Sequence, residues 1–270
     1  MKSKEVPYSI ISELKLRLLN TKKLKNFEGN EIPVIVSLTS IPFRLNRLHL
    51  VVKSLLIQTN KPKKIILWLD SSLENKIPNN LKRLFGDIFT IEFTTLNSSH
   101  VKLVPTLEKY PNEIIVTCDD DLMYDKDWLK GLYEEHLKSP KDIIAYTLRQ
   151  IQYDDNNNIL PYNQWKLRDL SKPSTFLALG YNGILYPPNS LPKETLNSEL
   201  YMKLAPKADD LWFKAMAILN KTNIKKVSIT PKQNIPIMAT QKVSLKKQNV
   251  GKLKNNQQWD ALVEHFNIKL

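Results

Sequence analysis

Short apolar runs alternate with segments of helical periodicity along the first 150 residues. Runs of consecutive apolar residues predict strands that are covered on both faces, and apolar residues at every third or fourth position predict helices. The predicted strands are 34–38, 65–69, 88–93, 114–118 and 143–148, and the predicted helices are 45–58, 81–85, 101–109 and one that Asp125 or Asp127 caps and that ends at Leu137. This order predicts parallel βαβ units with right-handed crossovers, and therefore an α/β domain with a mostly parallel sheet.

The alternation is less regular after residue 150. Strands are predicted at 175–179 and 184–186, an edge strand at 227–230, and helices at 208–219 and 255–266. No linker rich in proline, glycine or serine separates domains. We therefore expect a basic segment at 1–30 and a single domain at 31–270, in which 31–150 binds a nucleotide and 151–270 shapes the pocket for a second substrate.

The net charge of +13 favours polyanionic partners such as nucleic acid, acidic lipid headgroups or phosphorylated substrates. The alternative is that the lysines are spread over solvated surfaces. No recognisable nucleic-acid-binding module is present, so we expect no nucleic-acid partner. The chain also lacks the glycine-rich phosphate loops of ATPases and nicotinamide dehydrogenases.

Cellular location is predicted from cysteine content and from the first residues. Cys118 is the single cysteine, which excludes an internal disulfide and suits a reducing, cytoplasmic compartment. No apolar run is long enough to span a membrane. A predicted helix at 8–19 has Ile11, Leu14 and Leu18 along one side, and a lysine cluster follows it: Lys22, Lys23 and Lys25. This pattern predicts peripheral contact with an anionic membrane surface.

Asp119, Asp120 and Asp121 directly follow the apolar run 114–118. Ligands of open α/β sheets bind outside the carboxyl ends of the strands, and clustered carboxylates repel one another unless a cation lies among them. Hard divalent cations favour carboxylate oxygens shared with substrate phosphates. The triplet therefore predicts a metal–diphosphate site, with Asp121 and Asp119 as metal ligands. The alternative is a polar turn that caps the next helix.

Other predicted site residues follow strand ends or begin helices. Thr39, Ser40 and Asp70 should line the same crevice as the triplet, and Arg44 and Lys102 could contact phosphate oxygens. Asp209 and Asp210 begin a helix and are either a general base with its neighbour or simple helix-terminus carboxylates. The remaining candidates would contact an acceptor, with a plain turn and core packing as alternatives: Gly180, Tyr181, Asn182, Gly183, Trp128 and Trp212.

Four segments in this order resemble glycosyltransferases of the GT-A fold, and most of all bacterial family-2-like enzymes that build surface polysaccharide or lipooligosaccharide. They are VIVSLTSIPFRL, KLVPTLEKYPNEIIVTCDDDLMY, GYNGILYPP and KADDLWFKA, and the likeness covers roughly 33–220. The resemblance implies a nucleotide-sugar donor, such as a UDP-sugar, and Mn²⁺ or Mg²⁺. It also implies that 119–121 is the DxD motif, with Asp121 on the metal, Asp119 nearer the ribose, and Asp210 as the base of an inverting reaction.

The resemblance further implies a glycan or lipid-linked glycan acceptor. Two alternatives have different chemistry. A nucleotidyltransferase would share the strand-end metal site but would attack the α-phosphate. A non-catalytic polyanion-binding domain would explain the charge and leave the carboxylates as turns.

Overall fold

The computed structural model describes residues 5–21, 24, 29–156, 158–229, 234–240 and 254–269. Within them the strands are β1 (Asn30–Thr39), β2 (Asn60–Asp70), β3 (Phe89–Thr94), β4 (Ile114–Thr117), β5 (Leu122–Met123), β6 (Ile143–Ala145), β7 (Leu148–Gln150), β8 (Phe176–Ala178), β9 (Ile184–Tyr186), β10 (Ile224–Lys226) and β11 (Ile235–Pro236). The α-helices are α1 (Val6–Leu18), α2 (Leu45–Leu56), α3 (Asn79–Lys82), α4 (Val104–Lys109), α5 (Trp128–Lys138), α6 (Ser198–Leu204), α7 (Asp209–Leu219) and α8 (Lys254–Phe266).

Seven of these strands form the central sheet, in the order β10-β6-β9-β4-β1-β2-β3. The neighbours from β3 to β4 are parallel, whereas β9 runs antiparallel to both β4 and β6. Successive residues of β4 enter different apolar clusters: Ile115 packs with the second half of the chain and Val116 with the first. Both faces of the sheet are therefore covered, and the predicted α/β class is confirmed.

Two predicted strands differ from the structure. The predicted strand 143–148 is two strands, because β6 belongs to the central sheet while β7 pairs with β8 in a separate one. The edge strand predicted at 227–230 is found a few residues earlier in the chain. The actual edge strand, β10, ends at Lys226, and Val227 is buried beyond it. An apolar run alone does not mark the bend at which a chain leaves a sheet.

The predicted helix 8–19 is present as α1, whereas Lys22, Lys23 and Lys25 lie outside the described residues. No helix in the described part of the chain combines the length and apolar character needed to cross a bilayer.

A segment distant in sequence lies against the triplet. Residues 234–240, called the 234–240 segment below, include β11, which pairs antiparallel with β5 immediately after the triplet. The backbone N–H of Ile237 donates to the carbonyl of Asp121 at 2.9 Å. Nε of Arg44 donates to the carbonyl of Thr240 at 3.2 Å. The 234–240 segment therefore contacts both the loop that carries the triplet and the side chain of Arg44.

Candidate functional site

The triplet follows β4 at the carboxyl edge of the sheet. The hydroxyl of Tyr124 holds the backbone of Asp119 at both polar atoms: it accepts from the N–H at 2.8 Å and donates to the carbonyl at 3.1 Å. The N–H of Tyr124 in turn donates to Oγ of Ser54 on α2 at 3.0 Å. Burial raises the pKa of Tyr124 well above its ordinary value, so its hydroxyl stays protonated and able to donate. The first carboxylate of the triplet is thus held on a fixed backbone.

Arg44 ends the 3₁₀ turn that leads into α2 and faces the other two carboxylates. Its Nη1 pairs with Oδ1 of Asp120, and its Nη2 lies 3.1 Å from Oδ2 of Asp121. Ser40 donates to the second oxygen of Asp120. Burial raises the pKa of Asp120, although Arg44 and Ser40 oppose that shift. One guanidinium therefore neutralises two neighbouring carboxylates, one buried and one partly exposed, that would otherwise repel each other.

Lys102 lies at the end of another 3₁₀ turn, immediately before α4, and links the triplet to α7. Its Nζ is 2.9 Å from Oδ1 of Asp119 and 3.2 Å from Oδ2 of Asp209, and its side chain is 12% exposed. Burial lowers the pKa of Lys102, but Asp119, Asp209 and Asp210 outweigh burial and raise it well above the ordinary value. Lys102 therefore remains a cation shared between two acidic clusters that are far apart in sequence.

Asp209 and Asp210 have different environments although they are neighbours at the start of α7. Ala208 occupies the N-cap position and no side chain caps the helix, whereas both carboxylates lie in its first turn, where the helix dipole also favours them. Burial raises the pKa of Asp209, yet Lys102 lowers it below the ordinary value. Burial and the charge of Asp209 raise the pKa of Asp210 to about 8. Asp210 is thus the better proton acceptor of the pair.

Gly180 contacts the carboxylate of Asp210. Its N–H donates to Oδ1 at 3.1 Å. A Cβ at this position would lie 3.0 Å from the same oxygen and 3.4 Å from Nζ of Lys102. The absence of a side chain is what allows the turn to approach the acidic pair this closely.

The turn itself is fixed against α5. Gly183 has φ 101°, and a Cβ there would lie 2.5 Å from Cζ2 of Trp128. Nε1 of Trp128 donates to the carbonyl of Asn182 at 2.7 Å, and the Asn182 amide donates to Oγ1 of Thr147 at 2.9 Å. Tyr181, in contrast, is 48% exposed. The turn therefore presents one aromatic side chain to solvent on a rigid backbone.

The structure contradicts the interpretation of two tryptophans as faces for sugar stacking. Trp128 and Trp212 are completely buried, and each donates its N–H to a backbone carbonyl. Both side chains pack in the core, as the alternative interpretation predicted.

Two strand-end residues predicted for the crevice bond locally instead. Thr39 donates to the carbonyl of Trp68 at 2.9 Å, and Asp70 accepts from the N–H of Ser72 at 2.9 Å. Both lie at the carboxyl edge of the sheet. Ser40, Arg44 and Lys102 contact the triplet.

The donor set fits a hard divalent cation in its chemistry. Asp119 and Asp121 offer carboxylate oxygens, and their side chains are 29% and 14% exposed. Two carboxylates completed by substrate phosphate oxygens form a common Mg²⁺ arrangement. No group of three or more metal-ligating side chains is assembled among the described residues. Arg44 and Lys102 face these oxygens in the described part of the chain.

Sequence reasoning missed Tyr124 and the 234–240 segment. Tyr124 follows the triplet closely, so its position offered a signal, but nothing in the sequence showed that its hydroxyl folds back onto Asp119. The 234–240 segment contains a two-residue strand, and so short a strand has no periodicity to read.

Comparison with known proteins gives a family match. A sequence model described as "Glycosyl transferase family 2" matches residues 43–198, more than half of the 270 residues. No curated protein matches the chain. Among solved structures, 4-diphosphocytidyl-2C-methyl-D-erythritolsynthase from Anaerococcus prevotii DSM 20548 is similar at 12% identity and a TM-score of 0.47, covering 79% of this chain and 94% of that one.

Proposed function

The chain belongs to glycosyl transferase family 2, and we propose that it transfers a sugar from a nucleotide sugar, a UDP-sugar in the first instance, to a hydroxyl of a glycan or lipid-linked glycan. One observation supports this proposal most. A single ammonium, that of Lys102, contacts both Asp119 of the triplet and Asp209 beside Asp210. A leaving diphosphate at the triplet and an acceptor hydroxyl at Asp210 would then meet in one site.

Asp210 is the proposed general base. Its pKa of about 8 makes it the more basic carboxylate, and its ionised form, which becomes populated as pH approaches 8, accepts the proton. Asp209, paired with Lys102, is held as an anion. In the proposed step the acceptor hydroxyl gives its proton to Asp210 and its oxygen forms a bond to the anomeric carbon. The bond from that carbon to the diphosphate oxygen breaks, and the electron pair leaves with the nucleoside diphosphate. Attack opposite the leaving group inverts the anomeric configuration.

The positive charges that face the triplet would stabilise the departing diphosphate. Arg44 offers two guanidinium nitrogens and Lys102 one ammonium, which suits phosphate oxygens. A divalent cation, Mn²⁺ or Mg²⁺, held by Asp121 and Asp119 would supply Lewis-acid neutralisation of the same group when bound. For such binding Arg44 would have to move from the carboxylate of Asp121 to the phosphates.

The two halves of the domain would divide the substrates. Residues 31–150 contribute the triplet, Arg44 and Lys102, and we assign them the donor. Residues 151–270 contribute Asp209, Asp210 and the glycine turn, and we assign them the acceptor. Tyr181, the exposed aromatic residue that follows Gly180, is the side chain that we assign to contact with an acceptor sugar.

Thermal-shift measurements with nucleotide sugars, with and without Mn²⁺, would identify the donor. Product analysis with the best donor and a panel of glycan acceptors tests the reaction. We expect release of a nucleoside diphosphate and a product of inverted configuration. Release of pyrophosphate would identify a nucleotidyltransferase instead. If nucleotides do not stabilise the protein and no turnover is detected, the result would favour a non-catalytic polyanion-binding domain.

A further inference from the structure

Helix α1 exposes apolar side chains and buries polar ones. Its exposed residues include Tyr8 at 67% and Leu18 at 85%, with Ile11 and Leu14 between them. The opposite side buries Ser9, Glu13 and Leu16 against the protein. A helix on the surface of a globular domain normally has the reverse arrangement. We call the side formed by Tyr8, Ile11, Leu14 and Leu18 the α1 outer face.

Specific polar contacts fix this orientation. Ser9 donates to the carbonyl of Pro236 at 2.7 Å, and the N–H of Met238 donates to Oε1 of Glu13 at 2.9 Å. Nη1 of Arg47, on α2, lies 3.0 Å from Oε2 of Glu13. Rotating the helix to bury its apolar residues would break all three contacts and leave the carbonyl of Pro236 and the N–H of Met238 without these partners, which is costly.

The end of α1 is held by a buried lysine. Nζ of Lys53 donates to the carbonyls of Leu16 at 2.8 Å and Leu19 at 3.0 Å, where a helix leaves its last carbonyls without partners. The helix is therefore anchored along its inner side and at its end.

Charge is distributed on α1 as an anionic surface requires. At 100° per residue, Lys15 and Arg17 lie on opposite sides of the line through Ile11, Leu14 and Leu18. Both are exposed. The one acidic residue within α1, Glu13, faces inward. The helix thus presents an apolar strip without carboxylates, on a chain with net charge +13. Lys15 lies on one side of the strip and Arg17 on the other, and Nη2 of Arg17, which is half exposed, also lies 3.7 Å from Oε2 of Glu13.

We propose that the α1 outer face rests on the surface of an anionic lipid bilayer. Thirteen residues span about 20 Å along a helix, too short to cross a bilayer but sufficient to lie in its interface. The flanking cations fit acidic headgroups, and the apolar strip fits the acyl boundary beneath them. This inference concerns binding alone and does not depend on the proposed transfer reaction.

Membrane contact at α1 would also position the candidate site. The inner side of α1 contacts the 234–240 segment at Pro236 and Met238, and Ile237 between them donates to the carbonyl of Asp121. Through this segment the helix and the triplet are parts of one packed unit. A bilayer bound at α1 would therefore lie at a fixed distance from the site.

Flotation with liposomes tests the proposal on the full chain. We expect co-flotation with phosphatidylglycerol-containing vesicles at low salt, and weaker binding to pure phosphatidylcholine and at high salt. Replacing Ile11, Leu14 and Leu18 together by serine should weaken binding at least tenfold, because the apolar strip is lost. Replacing Lys15 and Arg17 by glutamine should weaken binding to the anionic vesicles about fivefold per cation.

A matched control replaces three exposed apolar side chains elsewhere, Leu137, Leu167 and Ile229, by serine, and should bind as the wild type does. Circular dichroism and thermal unfolding would show that each variant is folded. Equal loss of binding in the control variant, or no co-flotation of the wild type, would overturn the proposal. So would a lipid-free dimer that the α1 triple variant converts to a monomer, because the outer face would then belong to a second copy of the chain.

Discussion

The ammonium of Lys102 lies 3.2 Å from Oδ2 of Asp209, and this contact joins two halves of the chain that supply different acidic clusters. The same nitrogen reaches Asp119 at 2.9 Å. One cation therefore neutralises a carboxylate from each of the two clusters. The relationship makes Lys102 the residue whose removal should disturb the site most.

Replacement of Lys102 by methionine should destabilise the protein by about 3–5 kcal/mol at neutral pH, because it leaves buried carboxylates without their cation. Urea unfolding measures the change. Lys109, whose side chain is 45% exposed beside Glu92, offers the matched control, and Lys109→Met should cost less than about 1 kcal/mol. Equal effects of the two substitutions would show that the Lys102 pairs contribute little.

The Lys102→Met deficit should also depend on pH. In the wild type Lys102 lowers the pKa of Asp209. A carboxyl whose pKa is lower in the folded state stabilises the fold at pH values above its pKa in the unfolded state. This stabilisation is lost as the pH falls through its pKa in the folded state. Without Lys102 that contribution is absent at every pH. The difference between wild type and variant should therefore shrink below about pH 4, and unfolding series from pH 7 to pH 3 would show it.

Asp210→Asn should reduce turnover at least about 10²-fold with little change in donor binding, because the amide cannot accept the proton. Turnover and donor affinity are to be measured on the same preparation. Asp87→Asn, at an exposed position, serves as the control. Near-normal turnover of the Asp210 variant would assign Asp210 a structural role and would leave the base to be found elsewhere.

Asp210 should also leave a signature in the pH dependence of stability. Its pKa is raised to about 8, so between about pH 4 and pH 8 the folded chain keeps a proton that the unfolded chain has lost. The free energy of unfolding should therefore fall as pH rises through this range, by up to about 1.4 kcal/mol per unit from this group. Asp210→Asn should flatten that slope. An unchanged slope would argue against a protonated Asp210.

Gly180 and Gly183, the two glycines of the turn beside Asp210, should respond differently to alanine. Gly183→Ala forces a left-handed φ of 101° on a side chain and drives Cβ into the indole of Trp128, so we expect a loss of about 1–3 kcal/mol in unfolding free energy. Gly180→Ala places Cβ 3.0 Å from Oδ1 of Asp210 and should lower turnover more than stability. The prediction would be wrong if Gly180→Ala lost more stability than Gly183→Ala, and Gly183→Ala lost more turnover than Gly180→Ala.

Local patterns predicted the sheet and the position of the triplet, because an apolar run followed by carboxylates has a definite meaning in a parallel sheet. The contacts of Lys102 with Asp209, and of Ile237 with Asp121, could not be predicted. They depend on how segments distant in sequence pack, and neither has a periodicity of its own. The burial of Trp128 and Trp212 could not be predicted either, because the sequence does not distinguish a tryptophan exposed at a site from one packed in the core below it.

Asp121→Asn should abolish the part of nucleotide binding that depends on metal. The wild type should show a larger rise in Tm with UDP and Mn²⁺ together than with UDP alone, because Asp121 and Asp119 offer the partly exposed carboxylates that a hard cation prefers. In the variant the Mn²⁺ increment should disappear while the smaller response to UDP alone persists, supported by Arg44 and Lys102. An undiminished Mn²⁺ increment in the variant would place the metal elsewhere. A wild type without any increment, unaffected by chelator, would indicate that the two basic side chains neutralise the diphosphate unaided.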